Sequence, residues 1–276
     1  MTRLNLGPIG LTLDVRADGG HLDDAVMLEK LGYSAIWIAG GQLKTLDPLR
    51  DVIRATETIP VGSAIIPARV HGPGDVVELR RDVEATDPGR LITGLGGVHG
   101  ERPLRTMNDY LDTLDAADPP VPADARMLSA LGPRMMELSR DRASGAIALL
   151  VTPEFTAQAR QTLGDEAALV VMEYVVLESD PARARDAARE PIGFLTQVGG
   201  YPQNLRRMGF SDEDIAETSD HLLDNVVAWG DADAVAARLK RHLDAGADQV
   251  VLSVQPATPD AVPHEQWRTL AGALIG

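Results

Sequence analysis

Residues 23–40 read DDAVMLEKLGYSAIWIAG, and the same construction returns at residues 135–151, MMELSRDRASGAIALLV, and at residues 236–254, AARLKRHLDAGADQVVLSV. Each opens with an amphipathic helical pattern, passes through a turn holding Gly32, Gly145 or Gly246, and ends in a short apolar run. A glycine at such a joint fits a left-handed residue closing a helix. The runs that follow lack the polar alternation of a half-exposed strand, so they predict parallel strands covered on both faces. The recurring joint means βα units.

Eight candidate strands follow from apolar and β-branched enrichment, at residues 6–12, 35–39, 59–66, 91–95, 126–130, 146–151, 169–177 and 249–254. Helical patterns separate nearly all of them. Eight alternating units in a 276-residue chain predict an α/β fold of the (β/α)8 TIM-barrel type rather than an open doubly wound sheet. One interval breaks the rhythm, because residues 179–248 are too long for a single crossover helix. They hold a helical DPARARDAAREPIGFL, a loop TQVGGYPQNLRRMGFSDEDI, a helix around TSDHLLDNVVAW and a final helix from DADAVAARL. An insertion before the last strand, about residues 179–230, is where a barrel carries a cap over its active-site face. No linker or low-complexity stretch sets it apart, so residues 1–276 are expected to form a single domain.

Composition narrows the function. The net charge of -15, from 26 basic and 41 acidic residues, repels nucleic acid over most of the surface. No apolar run approaches the roughly 18 residues that span a bilayer. The first residues, MTRLNLGPIGLTLD, read as a strand and not as a signal peptide. With no cysteine, and six histidines in no metal-binding spacing, neither disulfides nor a metal site are expected. A cytoplasmic location is the default expectation.

Residues 88–100, PGRLITGLGGVHG, pose the question of a dinucleotide fingerprint. GLGGVHG has His99 where the third glycine belongs, and Asp115, at the distance expected of a ribose-binding acid, sits in the helical spacing of MNDYLDTLDAAD. The fingerprint fails. At a barrel strand end, glycines instead allow a flat ligand close to the backbone. Other strand ends add to this. Gly132 and Pro133 open a helix beside Arg134, and free N–H groups there suit an anion. Thr152 stands as N-cap before Pro153 and Glu154. Each alone is ordinary capping; together they mark the C-terminal face of a barrel, where ligands bind.

The segments 28–38, 47–66, 87–100, 130–154, 205–215 and 226–255 resemble, in order, the luciferase-like monooxygenase superfamily, and more closely its coenzyme F420-dependent oxidoreductases. ALGPRM…GA…TPE and AWGDADAVAARL…AGADQVVL are the most specific of these matches. The resemblance implies a (β/α)8 barrel whose insertion shields the site, and a flavin or deazaflavin ring lying against a bulge in the third strand. It places a non-prolyl cis peptide among Ser63, Ala64 and Ile65, at the Ala64–Ile65 bond, with Gly94, Gly96 and Gly97 bordering the same ring. For the polar end of the cofactor it points to Ser129, Leu131, Gly132, Pro133 and Arg134, and secondarily to Val151 and Thr152. The implied chemistry is hydride transfer between C5 of F420 and a small organic substrate, with His99 as candidate proton donor. Tyr201, Gln203 and Asn204 are candidates to face substrate, with Tyr201 equally able to pin the lid. A homodimer is expected through outer helices such as VVELRRDVEA. Two departures stand out: Gly41 and Gly97 occupy the places of a histidine and a glutamate of the superfamily's sugar-phosphate dehydrogenases, which argues against that reaction. An FMN-dependent monooxygenase with a partner reductase, or a non-catalytic flavin-binding barrel, are the alternative expectations.

Overall fold

The computed structural model describes Leu4 and residues 6–98, 100–256 and 261–276. In chain order the strands are β1 (Ile9–Thr12), β2 (Ile36–Ala39), β3 (Val61–Ala64), β4 (Ile66–Pro67), β5 (Leu91–Gly96), β6 (Arg126–Ser129), β7 (Gly145–Leu149), β8 (Ala168–Val176), β9 (Val227–Trp229) and β10 (Gln249–Val254). The helices are α1 (His21–Lys30), α2 (Asp47–Ala55), α3 (Pro73–Thr86), α4 (Pro103–Asp115), α5 (Pro133–Arg142), α6 (Pro153–Leu163), α7 (Pro181–Leu195), α8 (Tyr201–Arg207), α9 (Asp212–Glu217), α10 (Asp220–Val226), α11 (Ala232–Asp244) and α12 (His264–Leu274). The parallel order β1–β2–β3–β5–β6–β7–β8–β10 closes on itself through the β1–β10 pair, giving the expected (β/α)8 barrel.

Alternation along the strands separates two apolar layers. Outward residues such as Leu11, Ile36, Ile38, Leu128, Val171 and Leu252 pack with the helices. Inward residues, among them Ala35, Trp37, Ile92, Met127, Ile147, Val170 and Val251, form a plug inside the barrel. Trp37 dominates the plug. Its indole N–H donates to Gln249 Oε1 at 2.8 Å, and Gln249 Nε2 in turn donates to the Leu6 carbonyl at 2.8 Å. The strands on either side of β2 make room for it: a Cβ on Gly62 would lie 2.4 Å from the ring, and one on Gly10 3.2 Å.

The structure corrects several expectations. Gly32 and Gly246 are left-handed, at φ 86° and 104°, as helix ends require. Gly145 is not; it begins β7, where a Cβ would fall 2.0 Å from the Ala168 carbonyl oxygen, so close strand approach explains it. The third strand is not continuous over 59–66. Gly62 faces Ile92 but Ile66 faces Leu95, so one extra residue is taken up as a bulge between β3 and β4. The Ala64–Ile65 peptide there is cis, at the bond indicated by the resemblance. The helix around TSDHLLDNVVAW stops at Val226, and Val227–Trp229 becomes β9, pairing with Tyr174–Val176 of β8. Its valine and tryptophan favour a strand once a partner edge is offered. Asp115 pairs with Arg126 at 2.7 Å and Arg142 at 2.8 Å, a structural role that bears out the failed fingerprint.

The glycines of β5 also have a different reason from the one expected. A Cβ on Gly94 would lie 2.0 Å from the Ser63 carbonyl oxygen, and one on Gly96 2.1 Å from Ser129 Oγ. Protein atoms of the bulge and of β6 fill the space these glycines leave. Between β8 and α11, helices α7–α10 form their own apolar cluster, which includes Leu150 and Val176 at the C-terminal ends of the barrel strands. The insertion therefore packs against the C-terminal ends of β7 and β8.

Gly62→Ala should lower the unfolding free energy by about 3 kcal/mol, because the indole cannot retreat into a filled plug. Gly41→Ala, whose Cβ would meet nothing within 4 Å, should change it by less than about 0.5 kcal/mol. Urea titration of both variants measures the contrast.

Candidate active site at the barrel mouth

The inward side chains at the strand ends, Thr12, Ala39, Ala64, Ser129, Leu149, Tyr174 and Ser253, are partly exposed, whereas Trp37, Met127, Val170 and Val251 beneath them are fully buried. The plug thus forms the floor of an open mouth. On the β2–β3 side the floor is nearly flat, since Ala39 and Ala64 are paired in register. Gly40 lets the chain lie against the bulge, as its Cβ would stand 2.2 Å from the Ile65 carbonyl oxygen. A shelf of small residues results, and a planar ring could lie on it.

Polar groups gather at the rim. After β1, Gln42 holds the loop by accepting from Val15 N–H at 2.5 Å and donating to the Asp14 carboxylate. From the insertion come Tyr201, at the start of α8, and Arg207, at its end. Burial pushes the Tyr201 and Tyr174 phenols upward, with Tyr174 adding to the first and Asp14 to the second. Both tyrosines hold their protons at neutral pH.

Two helix starts face the same end of the barrel, and they differ. Helix α6 is already capped: Thr152 Oγ1 accepts from Phe155 N–H at 3.3 Å. The Glu154 carboxylate beside it is lowered by its own backbone N–H and the Thr152 hydroxyl. Helix α5 has no side-chain cap on Gly132. Arg207 reaches over this turn, donating to the Leu131 carbonyl at 3.3 Å and to Asn204 Oδ1 at 3.0 Å. The uncapped end with a guanidinium beside it is the better place for an anion.

Among the residues singled out from sequence, Ala64, Ile65, Gly97, Ser129, Leu131 and Gly132 are partly exposed at this end of the barrel, and Pro133 and Arg134 are exposed. Gly96, Val151 and Thr152 are buried. Ser63 is fully buried, and its hydroxyl is occupied by the N–H and carbonyl of Gly94, each at 2.9 Å, so its side chain serves the barrel wall. Asn204 is buried and holds Arg207, Gln203 is exposed, and His99 lies outside the described residues. Sequence reading missed Tyr174 and Arg207. Period-two alternation in β8, which makes Val170 and Met172 inward, would have placed Tyr174 at the mouth. Arg207 carries no local signal.

Glu173 is the one acid in the apolar run of β8. It points outward beneath α6 and α11. Its Oε1 accepts from Arg238 Nε at 3.3 Å, and its Oε2 lies 3.5 Å from His242 Nε2, both side chains being fully buried. His242 Nδ1 is 2.8 Å from Thr156 Oγ1, which also bonds the Thr152 carbonyl at 3.2 Å. A neutral His242 carrying its proton on Nδ1 satisfies the Thr156 side, while His242 Nε2 and Glu173 Oε2 are buried without a hydrogen-bond partner. Burial pushes Glu173 up to about 8, only partly opposed by Arg238, and pushes His242 down to about 3, helped by Arg238 and Arg241. The network ties α6, with its cap Thr152, to the barrel wall.

Neither protein-family models nor the curated proteins give a match to this sequence. Solved structures do match in fold. An F420-dependent secondary alcohol dehydrogenase in complex with an F420–acetone adduct superposes with a TM-score of 0.71 at 15% identity, over 98% of each chain. A coenzyme F420-dependent tetrahydromethanopterin reductase from Methanopyrus kandleri gives 0.70 at 16%, over 99% of each. The oxygenating constituent of 3,6-diketocamphane monooxygenase from Pseudomonas putida, in complex with FMN, gives 0.67 at 12%, over 97% of this chain and 98% of that one. The (β/α)8 fold is thus shared with both F420-dependent and FMN-dependent enzymes.

The buried network sets a pH dependence of stability. Between its ordinary value of 4.5 and about 8, folded Glu173 holds a proton that the unfolded chain releases, so stability falls as pH rises. Between about 3 and 6.5, folded His242 excludes a proton that the unfolded chain binds, so stability rises with pH. The slopes cancel from 4.5 to 6.5, leaving the glutamate alone between 6.5 and about 8. Over that alkaline window the network should withdraw about 2 kcal/mol, and Glu173→Gln should flatten the decline. Urea unfolding at a series of pH values checks it; an unchanged slope in the variant would refute the assignment.

Proposed function

We propose that this protein is an oxidoreductase that binds the deazaflavin F420 on the Ala39–Ala64 shelf and exchanges a hydride with a small organic substrate beneath the insertion. The observation that carries the reading is the shelf itself. It is lined by small residues and partly open above a closed plug, at the end of the barrel where α7–α10 pack on β7 and β8. A tricyclic ring needs such a surface, and the uncapped start of α5 offers a place for its phosphate at the same rim. The fold neighbours that use F420, matched over almost the whole chain, support the same choice.

When bound, F420 supplies the hydride chemistry at its C5. The protein's part is binding, orientation and exclusion of water. Ala64 and Ile65 would bear on one face of the ring. Arg207 and the free N–H groups at Gly132 and Arg134 would hold the polar end, with Asn204 fixing the guanidinium. Leu195, Tyr201 and Met208, packed on the insertion's core, would shield the other side from solvent. FMN with oxygen is the second reading, because the shelf suits its ring equally and an FMN-bound monooxygenase has the same fold.

Fluorescence titration of the purified protein with F420 and with FMN tests the proposal. F420 binding should be tighter and should be abolished by Ala64→Trp, which puts an indole on the shelf without altering charge. Arg207→Ala should weaken F420 binding by about tenfold and leave binding of a deazaflavin lacking the phosphate unchanged. Preference for FMN would move the protein to the second reading, and binding of neither would remove the catalytic claim.

A further inference from the structure

Most arginines and lysines of this acidic chain are held by carboxylates, as Arg50 is by Asp47 and Asp82, Arg142 by Asp112 and Asp115, and Arg185 by Asp220 and Asp224. Two groups of exposed cations have no ion-pair partner among the described residues. Lys30 and Arg54 stand in the last turns of α1 and α2, where the helix dipole favours a positive charge. The others, Lys44, Arg69, Arg102, Arg134 and Arg207, all stand at the C-terminal end of the barrel. For Arg102, the residue before α4, and Arg134, in the first turn of α5, the dipole is unfavourable. Neither ion pairing nor the helix dipole accounts for Lys44, Arg69, Arg102 and Arg134.

These cations follow one another around the rim. Lys44, Arg69, Arg102 and Arg134 come after β2, β4, β5 and β6, which are neighbours in the barrel. Their loops are joined to one another. His71 Nε2 lies 2.8 Å from the Leu43 carbonyl oxygen, and the Ala68 N–H donates to the Gly96 carbonyl at 2.8 Å. Arg207 extends the arc by donating to the Leu131 carbonyl at 3.3 Å. Loops 40–46, 68–72, 97–102 and 130–132 hold a single acid, Glu101. Of the acids opening the next helices, Asp47 is paired with Arg50, and Asp75 accepts from the Gly72 N–H. Elsewhere on the rim the sign reverses: Asp14 and Asp18 follow β1, Glu154 follows β7, and Glu178 and Asp180 follow β8. The arginines in those segments, Arg16 and Arg183, are both paired. The barrel end is polarised.

The spread of the charges restricts what they can hold. Neighbouring packed helices lie about 8–10 Å apart, so cations on the loops before α2, α3, α4 and α5 span roughly 25–30 Å. They cannot converge on one anion. An extended chain bearing carboxylates matches them better, because side chains on one face of it recur about every 7 Å. Polyphosphate crowds its charges far more closely than the cations are spaced. A broad acidic macromolecule would also meet the acids on the rest of the rim, which a screening length of about 8 Å does not hide at contact. We propose that Lys44, Arg69 and Arg102, continued by Arg134 and Arg207, form a ledge that binds a slim, extended oligocarboxylate running along the rim toward the start of α5. The ledge goes beyond the reading of the Ala64 shelf as a cofactor site. It takes the same chemistry whether the carboxylates belong to the tail of a bound cofactor or to a separate acidic peptide.

The probe is fluorescein-labelled octaglutamate, about 27 Å long when extended, titrated against the full chain by fluorescence anisotropy. Octaglutamine and octalysine carrying the same label are the controls. Octaglutamate should bind at least about tenfold more tightly than either, and its affinity should fall as salt is raised. Arg69→Gln combined with Arg102→Gln should weaken it about fivefold or more. Lys30→Gln combined with Arg54→Gln makes the same change in net charge away from the rim and should alter it by less than about twofold. All four side chains are exposed, so both double variants should keep the wild-type melting temperature. Equal binding of octaglutamate and octaglutamine, or equal losses in the two double variants, would overturn the proposal. Tighter binding of tripolyphosphate would overturn it too, assigning the rim to crowded phosphates. Adding F420 separates the sources. Displacement of octaglutamate by F420, but not by the deazaflavin lacking phosphate and tail, identifies the cofactor's own tail as the occupant; joint binding identifies a second ligand. A preference for octaglutamate in a chain that binds neither F420 nor FMN sustains the ledge and removes only the cofactor reading. The wild-type peptide series and its salt dependence stand even if a variant folds poorly.

Discussion

Everything at the barrel mouth is built on the packing of Trp37. One large side chain occupies the barrel interior where the neighbouring strands contribute Gly10 and Gly62. Its single polar atom is satisfied by Gln249, whose amide is satisfied in turn by the carbonyls of the N-terminal segment. A barrel plug must be filled at near-crystalline density to be stable, and a large residue against glycines achieves this as well as layers of equal size. Because the lower plug is closed, the upper ring of inward residues becomes a floor rather than the opening of a channel.

The same rule of exchange between neighbours shapes the bulge. An extra residue in the third strand brings the Ser63 carbonyl toward β5 and the Ile65 carbonyl toward the end of β2. Gly94 and Gly40 yield the space. The Ser63 hydroxyl then locks the bulge to the backbone of Gly94. The shelf of Ala39, Ala64 and Ile65 is therefore a by-product of strand packing. Its flatness comes from residues chosen to let backbones approach, and a ring cofactor would inherit that surface.

Polar groups are distributed by what satisfies them. Glu173 and His242 are sealed between β8, α6 and α11, where burial keeps both neutral and makes them part of the scaffold. At the two helix starts, Thr152 closes α6 with its own hydroxyl, while α5 is left open under Arg207. Among the described residues the buried side-chain atoms without a hydrogen-bond partner are Arg50 Nε, Glu173 Oε2, His242 Nε2 and Trp267 Nε1, and all four belong to the scaffold.

The sequence by itself determined the barrel. Periodicity, glycine-closed helix ends and uniformly apolar strands are local signals, and they gave the eight units, the position of the insertion, and the capping at Thr152 and Gly132. It also led to the third-strand bulge, through resemblance. It misjudged what depends on neighbours distant in the chain. The glycines of GLGG looked like room for a ligand, yet Gly94 and Gly96 are explained by Ser63 and Ser129, residues 31 and 33 positions away in sequence. Gly145 looked like a helix cap and is a strand contact. Val227–Trp229 looked helical until the edge of β8 was there to pair with it. Only the tertiary structure decided that Arg207 stands over α5, that Glu173 meets His242, and that Tyr201 meets the barrel mouth beside Tyr174. Each of these pairs joins elements separated by a long stretch of chain, and no local periodicity encodes where two such elements come together.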